Sequence, residues 1–155
     1  MGAGSEVPVH GTFPGEHPVD AIARRLHDLL RVGLRPAHLV PFLDILDLLE
    51  GNFEQLPVAS ANRERDPYVR VESLASLIED AVLAQGDGVH ALAGRQLFGL
   101  TVESRARPLK DRRRLAANEI DKAVSTWRRY YENDILHDLA YAVWRRREVH
   151  IEVDS

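Results

Sequence analysis

Apolar residues recur at helical spacing along most of this chain, and the breaks between the runs carry glycine or proline. Val19, Ile22, Leu26, Leu29 and Leu30 form the first stripe, with Asp20 near its start and Gly33 as a natural stop. A second helix is expected within 36–50. Pro41 forbids a regular interior there, so the helix restarts near it and runs through Phe42, Leu43, Ile45, Leu46, Leu48 and Leu49. Residues 52–66 form a polar, proline-containing connector. Asp66-Pro67 then supplies an N-cap followed by proline at the first helical position. Val71, Leu74, Leu77, Ile78, Ala81 and Val82 give the buried face of that helix, and Gly86 closes it. A shorter helix is expected over 87–98 with Gly99 as its cap, then a loop, then a helix opened by Pro108.

The arginine-rich run 111–147 admits two patterns. In one, 111–120 is a helix, 121–123 a turn, and 124–131 the start of a second helix. In the other, a single helix runs from 122 to 148, with Trp127, Tyr131, Ile135, Leu139 and Val143 repeating at every fourth residue. The tail alternates Val149, Ile151 and Val153 with polar residues, which predicts a short strand that is frayed or pairs in a complex. The fold class expected is all-α: about six helices, as a bundle or two small lobes, with that short C-terminal strand. A disordered leader (1–17), a helical hairpin (18–52) and a helical domain (66–150) divide the chain.

Charge changes this picture in one respect. Residues 1–99 carry 8 Lys/Arg against 14 Asp/Glu, whereas 100–150 carry 12 against 8. The C-terminal half therefore admits an anionic partner. Of the 20 basic residues 18 are arginine, a bias that genome composition explains as readily as bidentate phosphate contacts. Absence of cysteine removes disulfides and thiolate metal sites and favours a cytoplasmic setting. No apolar run reaches the ~18 residues that span a bilayer, so no membrane partner is expected.

Candidate chemistry is sparse. Phosphate loops, nucleophile elbows and HExxH are absent from the sequence, so neither a cofactor nor enzymatic activity is expected. Two His-Asp dipeptides, His27-Asp28 and His137-Asp138, resemble pairs that hold metal ions in phosphohydrolases, although chance alone supplies such pairs. Asp44 and Asp47 read as the polar dressing of an amphipathic helix, and His38 and His90 as partly buried, hydrogen-bonded histidines.

The residues RRRLAANEI and VSTWRRYYENDIL resemble a segment common in uncharacterised actinobacterial proteins with a helix-turn-helix cadence. There an Arg-rich helix, a Leu-Gly-Val-Ser turn and a Thr-Phe-Arg-Arg helix follow one another. The resemblance covers about 50 residues, placing Ile120 at the Leu, Thr126-Trp127-Arg128-Arg129 at Thr-Phe-Arg-Arg and Glu132 at the following acid. The turn departs from the pattern: Asp121 replaces the Gly, Lys122 the aliphatic residue and Ala123 the capping Ser. The resemblance implies no activity.

The functional expectation is a non-enzymatic regulatory or adaptor module. It would bind a protein partner, or itself, through Trp127, Tyr131, Trp144, Arg145 and Arg146. The alternative is a DNA-binding regulator that uses Ser125, Thr126, Arg128 and Arg129. A metal-dependent phosphohydrolase ranks third.

Overall fold

A computed structural model describes residues 16–50 and 66–154, with side chains given for 16–49 and 66–146. Most of the expected leader and nearly all of the connector lie outside the described residues. Among the described residues there are seven α-helices and no strand, so the fold is all-α. They are α1 (Pro18–Leu29), α2 (Asp44–Glu50), α3 (Pro67–Leu83), α4 (Val89–Leu97), α5 (Leu109–Glu119), α6 (Val124–Tyr130) and α7 (Glu132–Asp154). Two 3-10 turns, Pro36–His38 and Val40–Phe42, precede α2.

Local chemistry sets most of the boundaries. Proline stands at the first position of α1 and α3. The Asp66 side chain accepts the Tyr68 N–H at 2.8 Å, while at α1 the cap is His17, whose Nδ1 accepts from the Val19 N–H. Gly33, Gly86 and Gly99 adopt positive φ just beyond α1, α3 and α4, where a left-handed residue ends a helix. Proline 41 delays α2 further than the apolar pattern suggests. It sits inside a 3-10 turn, and regular helix begins only at Asp44.

α7 is the spine of the bundle. Its 23 residues span ~34 Å at ~1.5 Å per residue. It runs antiparallel to α1: Glu132 lies beside His27, His137 bonds Asp20, and the Trp144 ring meets that of His17. Leu136, Leu139, Ala140 and Val143 are buried on the face turned to α1 and α3. The buried apolar residues of 19–49 and 71–143 form one cluster. The expected tail strand is corrected, because the backbone of 149–154 continues α7. With no Gly or Pro after residue 132, helix propagation overrides the period-two alternation.

Two arginines, the half-buried Arg25 and the buried Arg112, tie this core together. Arg25 on α1 grips Asp44 with Nε and Nη2, donates to the Pro41 carbonyl and lies over the Phe42 ring. Asp44 is thus a buried anchor rather than surface dressing, and its hydrogen bond holds the Arg25 pKa above the ordinary arginine value. Arg112 on α5 is buried, and among the described residues it has no carboxylate partner. Its guanidinium donates to the carbonyls of Leu30, Leu97 and Arg107, closing the C-terminal ends of α1 and α4 and the loop before α5. The negative ends of two helices therefore receive one cation. Burial, and secondarily Arg113, lowers the Arg112 pKa.

Candidate functional site

The chain bends at residues 121–123, so the continuous helix over 122–148 is corrected. The bend is a Schellman motif. Lys122 N–H donates to the Ala117 carbonyl, Asp121 N–H donates to the Asn118 carbonyl, and Asp121 takes φ 56°. Aspartate replaces the usual glycine because its short polar side chain tolerates the left-handed region at modest cost. Asp121→Gly should therefore stabilise the protein by about 0.5–1 kcal/mol, read as a higher urea midpoint at unchanged slope. Ala123 supplies no side-chain cap to α6.

A second break at Tyr131 separates α6 from α7, and a buried cluster sets it. Glu132, at the start of α7, is only 2% exposed. Its carboxylate accepts from Arg113 Nε and Nη2, both at 2.9 Å, and from Trp127 Nε1 at 2.9 Å. The fork from α5, the indole from α6 and the acid of α7 thus meet at one point. His27 of α1 approaches the same carboxylate at 3.9 Å.

This cluster decides which side chains α6 can offer. Trp127 is fully buried, so its expected place on an exposed partner-binding face is corrected. A helix this short must spend its one large apolar residue on the core, and the indole N–H finds its acceptor there. Ser125, Arg128, Arg129 and Tyr130 are exposed on the remaining surface, and Thr126 is half-buried. Arg129 lies over the Tyr130 ring at 5.4 Å. Between Arg105 and Arg129 the exposed charges are all cationic except Asp121.

The other expected interaction residues scatter. Tyr131 is half-buried with its ring against His90, and Trp144 is half-buried against His17. Arg146 donates to the Asp80 carbonyl. Arg145 is exposed above the Tyr141 ring. His38 and His90 are exposed rather than partly buried.

The His-Asp dipeptides do not converge. His27 faces Asp28 and Glu132, whereas His137 bonds Asp20 nearer the opposite end of α1. Among the described residues no group of three or more His, Asp or Glu side chains could hold a metal ion.

Sequence reasoning missed Arg112, Arg113 and the acceptor role of Glu132. Arg113 and Glu132 stand 19 residues apart on different helices, a separation with no local periodicity to betray it. No family model matches this chain, and no curated protein or solved structure is significantly similar to it.

Proposed function

We propose that this chain is a non-enzymatic regulatory module that binds duplex nucleic acid through α5, the turn at 121–123 and α6. The observation that carries the reading is the orientation of α6. Trp127 faces inward against Glu132, and that places Ser125, Arg128 and Arg129 outward on a basic surface. Duplex DNA carries one negative charge per ~1.7 Å of axis, so such a surface gains affinity by releasing counterions.

Geometry and chemistry agree with this. α6 has 7 residues and spans ~10 Å, two turns, on a scale that enters a major groove ~12 Å wide. Arg128 and Arg129 carry planar forks suited to guanine edges or phosphates, and Ser125 and Thr126 suit phosphate oxygens. Lys110 on α5, and Arg114 in its 3.1 Å pair with Asp111, add exposed cations to the same unit. The buried carboxylates Asp44 and Glu132 are committed to Arg25, Arg113 and Trp127, which supports a structural rather than catalytic use of them.

Fluorescence anisotropy with a labelled mixed-sequence duplex tests the proposal. Affinity should fall steeply as salt rises from about 50 to 200 mM. The double variant Arg128→Ala, Arg129→Ala should reduce the slope of log K against log salt by about 2. Both positions are exposed, so its stability should stay within about 0.5 kcal/mol of the parent for each change. No duplex binding at low salt would sink the proposal.

A further inference from the structure

The face of α7 turned away from the core carries a self-complementary charge pattern. Asp134, Asp138, Tyr141 and Arg145 are exposed and recur at steps of three and four residues, so they lie in one stripe. Acids occupy its N-terminal half and Arg145 its C-terminal half. Among the described residues neither Asp138 nor Arg145 has an ion-pair partner, and the Arg145 guanidinium lies over the ring of Tyr141. Tyr141 keeps 53% of its surface in water. A groove of about 580 Å³ opens beside this stripe, with His17, Val19 and Asp20 of the α1 end on its wall.

We infer that this face is the contact between two copies of the chain, with their α7 helices antiparallel. Asp138 and Arg145 stand equally far on either side of the midpoint between Tyr141 and Ala142. A two-fold axis through that midpoint sets Asp138 of each copy against Arg145 of the other. The two Tyr141 rings meet at the axis, and the groove has room for the side chains of the second copy. A parallel arrangement would instead oppose Asp138 to Asp138 and Arg145 to Arg145. The helix dipoles favour the antiparallel choice too. One helical stripe buries less than the ~1,200 Å² of a standard interface, so the dimer is weak and salt-sensitive. This inference is independent of nucleic-acid binding.

Charge reversal tests it by sedimentation velocity at roughly 100 µM protein in low salt, a concentration suited to a weak interface. The wild-type chain should sediment as a dimer and dissociate as salt is raised. Asp138→Arg alone and Arg145→Asp alone should each weaken self-association on the order of tenfold or more, since both symmetry-related pairs become repulsive. An equimolar mixture of the two single variants should recover the dimer, because one chain is then basic at both positions and the other acidic at both. Far-UV circular dichroism checks that these exposed changes leave the helices intact. A wild-type chain that stays monomeric would overturn the inference. So would single variants that dimerise like wild type, or a mixture that does not recover.

Discussion

Replacing Arg112 by methionine should destabilise the protein by about 3–5 kcal/mol, since three carbonyls lose a charged donor at ~1–2 kcal/mol each. The carbonyls of Leu30, Leu97 and Arg107 would lose their donor together, and the first two lie in buried surroundings at helix ends. Methionine fills the channel of the aliphatic stem but donates nothing. A lysine cannot reproduce the fork, since three carbonyls in different directions need donors on Nε and both terminal nitrogens. Arg112→Lys should therefore recover less than half of the loss. The pKa of Arg112 is lowered, so its folded form gives up the proton more readily than its unfolded form. That asymmetry acts only in the strongly alkaline range where arginine titrates, and the cost of substitution should be flat between about pH 5 and 9. Urea unfolding monitored by circular dichroism checks both the magnitude and the flatness. A loss below 1 kcal/mol would mean that water or another side chain satisfies those carbonyls.

Glu132→Gln should cost about 2–4 kcal/mol and change the environment of Trp127. The amide keeps one oxygen acceptor but loses the charge opposite Arg113, and its NH2 group faces the arginine fork. Trp127 donates to the same oxygen that Arg113 Nε uses. An amide that keeps its oxygen there loses the bond from Arg113 Nη2 outright and leaves the other two to a weaker, neutral acceptor. The tryptophan emission maximum should shift, and the second tryptophan, Trp144, is removed as a confounder by a Trp144→Phe background. A double-mutant cycle with Arg113→Met and Glu132→Leu should give a coupling well above that of an exposed ion pair, which is typically below 1 kcal/mol. Additivity of the two would show that the fork contributes nothing to the placement of α6. Loss of this cluster should also weaken nucleic-acid binding, because it holds the helix that carries Arg128 and Arg129.

Legibility along the sequence follows where the determinants lie. Helix ends written in local chemistry were readable: Gly33, Gly86 and Gly99 stop α1, α3 and α4, and Pro67 and Pro108 mark the starts of α3 and α5. The break after Tyr131 was not, because neither glycine nor proline marks it and the meeting of Trp127, Glu132 and Arg113 depends on tertiary packing. The turn at 121–123 lay between these cases. The resemblance places a turn there, yet Asp121, Lys122 and Ala123 each weaken its local signals, and main-chain hydrogen bonds to Ala117 and Asn118 form it regardless.

The arginine run was the least transparent stretch. Arg112, Arg113 and Arg114 are consecutive, yet the first is buried on carbonyls, the second grips Glu132 and the third is exposed beside Asp111. Nothing in composition separates the three. Helical periodicity explains them afterwards, since successive residues point ~100° apart and only one can face solvent squarely. The candidate interface therefore rests on fewer arginines than the sequence displays.

The most direct test of the nucleic-acid reading is to locate the contact surface. Backbone amide chemical shifts, recorded while a short mixed-sequence duplex is added at low salt, should change for residues 122–130 and for Lys110 and Arg114 on α5. The exposed stripe of α7 around Tyr141 should stay unaffected. Shifts confined to α7, or none at all with duplex in excess, would contradict the account.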